Sequence, residues 1–427
     1  EPGRLGLENA CWLSEPVALT SLAAMVPEHE CRILDMRLEK DGAYNRALIE
    51  FRPDIVATTS MTTDCYQAKA LLQCAKGTLG SDAVFTMVGG HHPTLAPADF
   101  EEDCVDALVL GEGEDTFAEV VAWRSANGSR DELTSIAGLR FRNGDAWTTT
   151  SKRAQSRDLD SFPSPRRDLI AKYTKAGSYF FMNANPMASI ATSRGCSYDC
   201  NFCAIWEFYE RKTRFLSAKK VCEQLEKIDE PFVMFLDDNF LSHKTRLLEL
   251  CDEIERRGIK KLWATQGRTD FVANNPALMA RLRKCGLTLL ISGYETNDDK
   301  GLAALKKTNA GDTNRKAAAI LNGLGILQFG IFMVRPDFDH ADFDFMYKSI
   351  DEMGICFPIV TVHTPLPGTQ LRKKLQDELL TEDARLFDLL HSVRPTKLPR
   401  EEFYHRLTET YRRPWLNRST IKALLRR

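Results

Sequence analysis

The apolar and polar positions of this chain fall into two stretches in which strand patterns alternate with helix patterns. Between residues 28 and 125, "ECRILDM" (30–36) reads as a strand, and a helix follows over about 43–51. "PDIVATTS" (53–60) reads as a buried strand, and an amphipathic helix covers 64–76. Strands "AVFTMVGG" (83–90) and "DALVLGEG" (106–113) come next, then a helix over 115–124. Short apolar runs that end in small or polar residues and lead into helices predict a doubly wound, Rossmann-like parallel sheet. Residues 1–13 offer no clear opening strand. "LRFRNGDAWTTT" (139–150) predicts a hairpin turning at Asn-Gly, and "DLDSFPSPRRDLI" (158–170) reads as a proline-punctuated linker.

From 187 the alternation resumes. Strand candidates at 188–193, 232–237, 261–267, 287–294, 326–333 and 356–363 are separated by helices at about 217–229, 244–257, 275–285, 312–324 and 341–353. Six such units predict an incomplete parallel barrel, two units short of the closed eightfold form, with its chemistry at the strand C-termini. The expected organisation is an α/β chain: a Rossmann-like domain over 1–134, hairpin and linker over 135–186, a partial barrel over 187–375 and a helical C-terminal region over 376–427. That last region is a candidate cover for the barrel mouth and substrate pocket.

Composition changes this picture little. Apolar residues are 43% of the chain and charged residues 27%, with a formal charge of −2, which gives no general attraction to nucleic acid or anionic membrane. The basic residues near the end (Arg412, Arg413, Arg418, Lys422, Arg426, Arg427) read as a solvated helical tail rather than an RNA grip. No run approaches the ~20 apolar residues of a membrane span, and no signal peptide is recognisable. The twelve cysteines are spread out. Cys74, Cys222, Cys251 and Cys285 sit in apolar patterns, as buried thiols of a reducing cytoplasm would.

Three cysteines stand apart. "TSRGCSYDCNFCAIWEFY" (192–209) sets Cys196, Cys200 and Cys203 at Cys-x3-Cys-x2-Cys, directly after the first barrel strand. Three unconnected thiols are one reading. Structural zinc is another, but zinc closes four ligands, often as two separated pairs, and no second pair follows. An iron–sulfur cluster is the third: thiolates hold [4Fe–4S] clusters, usually four of them, so three leave one iron open to a small molecule. The later cysteines, Cys222, Cys251, Cys285 and Cys356, are isolated and suggest no second cluster.

The triplet, with Phe202 before its last cysteine, resembles the radical S-adenosylmethionine (SAM) enzymes. In that family SAM chelates the open iron and is cleaved to methionine and a 5′-deoxyadenosyl radical. The resemblance assigns Arg268 to the SAM carboxylate, Gln266 and Glu295 to its amino group or ribose, and Phe202 to the adenine side. Asp238, with Asn239, reads equally as a SAM contact or a rim cap. "PLPGT" (365–369) closes the barrel as the family does. His363 faces either substrate or the barrel wall.

A doubly wound domain before such a barrel, with strand ends "TTSMTTD", "GGHHPT" and "GEGED", is similar to the cobalamin-binding subgroup. Ligands of such sheets bind outside the strand C-termini. The resemblance implies cobalamin contacts from Thr59, Ser60, Thr62, Gly89, Gly90, His91, Gly111, Glu112 and Gly113. Where histidine-ligating members carry Asp-x-His-x-x-Gly, this chain has Asp35, Arg37 and Lys40, so cobalamin is expected without a histidine ligand. Arg37 reads either as a cation below cobalt or as a strand-end ion pair. The same loops could instead belong to a vestigial site.

Cobalamin beside a radical generator implies methyl transfer from methylcobalamin to an unactivated carbon of a small-molecule substrate. An electron donor such as flavodoxin or ferredoxin is expected. "CAIWEFYERKTR" (203–214) resembles the anaerobic magnesium-protoporphyrin cyclase, which leaves a cyclase or oxidoreductase on a tetrapyrrole-like or hydrophobic substrate as the alternative.

Overall fold

The computed structural model describes residues 12–307 and 309–412 and divides into two compact units, Glu1–Pro186 and Met187–Arg427. The basic residues beyond Arg412, and any strand within 1–11, lie outside the described residues.

In the first unit β1 (Ile55–Thr59), β2 (Phe85–Gly89) and β3 (Ala107–Val109) are parallel, while β4 (Leu139–Asn143) and β5 (Ala146–Thr149) continue the same sheet antiparallel. Helices α1 (Ala43–Phe51), α2 (Cys65–Leu79) and α3 (Glu114–Ser125) fall where the pattern places them. The sheet is therefore mixed rather than purely parallel. The hairpin joins it because Leu139 and Phe141 alternate inward onto the core of Met87, Ala107 and Val120. Arg140 and Arg142 point outward to Glu101 and Asp103. Each such buried apolar side chain contributes about 1.5–3 kcal/mol.

Two expectations fail here. Residues 30–35 form no strand: the Asp35 amide donates to Tyr173 Oη (3.0 Å), and Ile33 packs with Leu13, Ala23, Ile170 and Tyr179. Without that partner β1 is an edge strand. It is only half covered, with Ala57 and Thr59 exposed, and is not a buried strand. Trp12–Leu13 pairs instead with Phe180–Phe181.

In the second unit β6 (Met187–Ile190), β7 (Phe232–Phe235), β8 (Leu262–Gln266), β9 (Leu287–Glu295), β10 (Leu327–Val334) and β11 (Phe357–Val362) form one six-stranded sheet in chain order, parallel throughout. The crossovers carry α4 (Ala218–Glu226), α5 (Lys244–Arg257), α6 (Pro276–Lys284), α7 (Gly311–Leu324) and α8 (His340–Met353). Local signals set their ends. In α5, Leu247, Leu250, Cys251 and Ile254 make one buried stripe, and the helix stops at left-handed Gly258. In α8, Asp339 and Asp342 form a reciprocal capping box.

The expected helical C-terminal region is largely irregular between 379 and 399 before α9 (Arg400–Arg412). Proline at 395 and 399 removes backbone donors, and Asp383 and Asp388 cap turns instead. Phe403 and Leu407 of α9 pack into the core of Phe343, Tyr347 and Ile350 on α8. The Val362 amide donates to Leu389 O (2.6 Å), and Tyr411 Oη bonds Val360. This segment covers the free edge of β11, where unpaired strand groups would otherwise face water.

Candidate functional site

The cysteine loop leaves the C-terminal end of β6 and is braced by three consecutive residues beyond β7. Asp237, fully buried, accepts from the Thr192 amide and hydroxyl (3.1 and 3.0–3.1 Å) and lies beside the Arg246 charge. Asp238 accepts from the Gly195 amide (3.0 Å), and burial lifts its carboxyl to about 6. Asn239 Nδ2 approaches Cys196 Sγ at 3.8 Å, while its buried Oδ1 has no hydrogen-bond partner among the described residues. Gly195 needs to be glycine: φ is +85°, and a Cβ there would lie 2.2 Å from Lys212 O. The "LDDN" signal was visible in the sequence, but its use as a brace was not.

Burial pushes all three thiols up, Cys203 to about 12. At Cys200 the Lys307 and Arg268 charges oppose that rise. Among the described residues no three His, Cys, Asp or Glu side chains converge on a single metal ion. A cubane cluster asks something else, one thiol for each of three irons. The three adjacent thiols with Cys200 buried, the Asn239 Nδ2 donor at Cys196 and the Arg268 and Lys307 cations near Cys200 fit such an anionic group.

The residues assigned to SAM gather at the same barrel end but are differently engaged. Arg268, beyond β8, is fixed by Asp270 (2.8–3.2 Å) and Asn309 (2.7 Å). Gln266 ends β8, and its carbonyl accepts from Phe240 N. Glu295 ends β9 with φ +58° and pairs with Lys307 (2.8 Å), both side chains buried. Lys307 also donates to Gly293 O, and no motif announced it. The Phe202 ring meets His363 edge-on at 6.5 Å. A cavity of about 320 Å³ opens beside Glu295, lined by Leu305, Met333, Arg335, Phe338 and Met346.

His363 Nε2 is buried with no hydrogen-bond partner among the described residues. Burial, helped by Arg394 and Arg335, lowers the imidazole to about 4. The folded protein holds it neutral while the unfolded chain binds a proton below about 6.5. Stability should therefore fall as pH drops from about 6.5 towards 4, by on the order of 2–3 kcal/mol at the acid end. His363→Gln should flatten that limb in thermal melts taken at several pH values. An unchanged slope would show that this ring does not set it.

In the first unit the three parallel strand ends are tied together. Ser60 N donates to Gly89 O (3.0 Å) and His92 N to Ser60 O (3.2 Å). Thr94 Oγ1 donates to Gly90 O (2.8 Å) and accepts from Gly111 N (2.9 Å). Thr62 Oγ1 meets His92 Nδ1 at 3.2 Å, and His92 Nε2 pairs with Asp99 at 3.0 Å. His92 is thus part of the loop's frame. His91 is largely buried, and burial lowers its pKa. Gly90 (φ +109°) lies against Thr59, whereas Gly111 (φ +80°) has open space where a Cβ would stand. Glu112 follows it, and Gly113 leads into α3. The backbone at Gly111 is therefore open to close approach by a ligand. Arg37 makes the ion pair with Asp35 (2.6 Å), donates to Ser14 O (2.8 Å), and lies within the field of Asp64 at the start of α2.

Residues 10–121 match the B12 binding domain family and residues 190–349 the radical SAM superfamily. The hopanoid C-3 methylase of Methylococcus capsulatus is 31% identical over 402 residues, 93% of this chain and 75% of that protein. The anaerobic magnesium-protoporphyrin IX monomethyl ester cyclase of Rubrivivax gelatinosus is 26% identical over 87% of this chain and 67% of its own length. The solved cobalamin-dependent SAM radical enzyme OxsB, with aqua-cobalamin and SAM bound, superposes with a TM-score of 0.74 at 16% identity. That match covers 92% of this chain and 63% of the OxsB chain, so this chain spans less than two thirds of that protein. The chain belongs to the cobalamin-dependent radical SAM enzymes. Within them it sides with the methyltransferases, and its cofactors are cobalamin, SAM and a [4Fe–4S] cluster. It works with a reductant on a small molecule, and no described helix is long and apolar enough to cross a membrane.

Proposed function

We propose that the protein transfers a methyl group to an unactivated carbon of a small-molecule substrate. The carrying observation is that one chain joins a braced three-cysteine loop at a barrel strand end to a B12 binding domain whose strand ends open at Gly111. When bound, cluster and SAM supply the 5′-deoxyadenosyl radical and cobalamin carries the methyl group. The chain's own residues place and shield these groups. Cys196, Cys200 and Cys203 would hold the cluster, and Phe202, Gln266, Arg268 and Glu295 would line the SAM side. Asp238 serves by fixing Gly195. Thr59, Ser60, Thr62, Gly89, Gly90, His91, Gly111, Glu112 and Gly113 would meet cobalamin, with Arg37 as a non-ligating cation.

The lining beside Glu295 mixes Met333, Phe338 and Met346 with Arg335, Asp298 and Asp342, which suits a substrate that has both apolar and polar parts. The hopanoid methylase favours a polycyclic hydrophobic one. Flavodoxin or ferredoxin would serve as donor. The eleven described cysteines, all free, support a cytoplasmic setting. The cyclase reading keeps the support of its relatives at 26% identity.

The test is an anaerobic assay of the reconstituted, cobalamin-loaded protein with polycyclic candidates. S-adenosylhomocysteine and 5′-deoxyadenosine should appear in equal amounts with a methylated product. Deoxyadenosine with an oxidised, unmethylated product would favour the cyclase instead.

A further inference from the structure

Arg268 is held more firmly than a residue waiting for a ligand needs to be. Its Nε and Nη2 bond Asp270 (2.8–3.2 Å), and Nη2 also donates to Asn309 Oδ1 (2.7 Å). Its guanidinium carbon stands 3.6 Å from the centroid of the Tyr198 ring. Nη1 is 4.0 Å from Cys200 Sγ. Tyr198 belongs to the cysteine loop itself, midway between Cys196 and Cys200, and its hydroxyl donates to the same Asp270 carboxylate (3.4 Å). Asn309 is fixed in turn by Thr269 (2.5 Å). A carboxylate, an amide and an aromatic face thus hold a planar cation against one sulfur, and Arg268, Cys200 and Asn309 are all buried.

We propose that Arg268 is a positioning residue for the iron–sulfur cluster: stacked on Tyr198 and aimed at Cys200, it raises the reduction potential of the cluster held there. This rests on the reading that Cys196, Cys200 and Cys203 carry that cluster. It gives Arg268 a task present before SAM binds, beyond the carboxylate contact the family resemblance implies. Reduction adds one negative charge to the cluster. A fixed cation and an N–H donor at a cluster sulfur stabilise the reduced form more than the oxidised one, and most strongly where water is excluded. Lys307, buried and held by Glu295 and Gly293 O, is a second cation on the Cys200 side, and its partner Glu295 opposes part of its charge there. Asp270 offsets part of the field.

The experiment is a redox titration of the anaerobically reconstituted protein without SAM, followed by EPR, with iron and sulfide quantified in every sample. Omitting SAM separates an action on the cluster from an action on the ligand. Arg268→Gln should shift the reduced-to-oxidised ratio at a fixed potential about tenfold towards oxidised, equivalent to about 59 mV for one electron. Arg268→Lys should recover part of that shift, since it keeps the charge but not the planar stack. Asp270→Asn should move the midpoint the opposite way, because it leaves the guanidinium less compensated. Opposite shifts are what a charge effect produces and a loosened loop does not.

A fully loaded Arg268→Gln with an unmoved midpoint overturns the inference, and so do same-sign shifts in Arg268→Gln and Asp270→Asn. If Arg268→Gln takes up no cluster, Arg268→Lys and Asp270→Asn decide by the same signs. A wild-type protein that assembles no cluster would instead overturn the reading underneath.

Discussion

Cys200→Ala will lose the visible absorbance of the cluster and will bring 5′-deoxyadenosine formation down to the level of the buffer blank. Two thiols cannot hold a cluster whose third iron then lacks a protein ligand, and Cys200 is the sulfur most embedded in the loop. It is buried beside Arg268, and its carbonyl accepts from Trp206 Nε1 (2.8 Å). The loss should come from chemistry and not from unfolding. The backbone bracing runs through Thr192 and Gly195 to Asp237 and Asp238, and none of those bonds uses the Cys200 side chain. Cys222→Ala is the matched control. Cys222 is fully buried on α4, so removing its sulfur should cost roughly 1 kcal/mol of stability and leave cluster content unchanged. Iron analysis, absorbance and product chromatography on both variants read the outcome. Survival of SAM cleavage in Cys200→Ala would sink the assignment.

Gly90→Val should separate the two halves of the chemistry, abolishing cobalamin retention after desalting while leaving cluster content intact. Gly90 sits at φ +109°, ψ −169°, a region essentially reserved for glycine. A Cβ there would lie 2.6 Å from Thr59 Oγ1 and 3.0 Å from Ser60 O. Relief requires moving the β1 strand end or breaking the bonds of Ser60 to Gly89 and His92. The local cost is about 2–4 kcal/mol, and it falls on the loops that would meet the corrin. The cluster loop belongs to the other compact unit and should load with iron normally. Absorbance of the desalted protein after incubation with hydroxocobalamin gives the result. Stoichiometric retention by Gly90→Val would show that this loop does not carry the cofactor.

The barrel was legible because its pattern is redundant. Each of six strands is an apolar run bounded by turn residues, and each is followed by a helix with its own stripe and stop, as in α5 with Leu247, Leu250, Ile254 and Gly258. The cysteine spacing was legible for a similar reason, since three thiols within eight residues carry their spacing in the chain itself. Residues 30–36 show the limit. Their apolar pattern is that of a strand, but a strand exists only through a neighbour's backbone, and there Tyr173 takes the Asp35 amide. The hairpin at 139–150 was visible as a hairpin, yet its docking on β3 depended on Leu139 and Phe141 finding a core built mostly by β2, β3 and α3. Residues 379–399 are largely irregular, apart from a short 3-10 turn at Ala384–Leu386, because prolines and capping acids outweigh their apolar content.

By itself, then, the sequence determined the two α/β units, the triplet of thiols and the glycine-bearing strand ends. Each of these is written in residues close together along the chain. Only the tertiary structure decided that Asp237, Asp238 and Asn239 brace the cluster loop, that Lys307 meets Glu295, and that Arg268 is pinned between Tyr198, Asp270 and Asn309. Those partners stand between 2 and 70 residues apart, most of them on different loops. What unites them is that buried charges and amides must find compensation wherever the fold brings it, and no local pattern records which partner that will be.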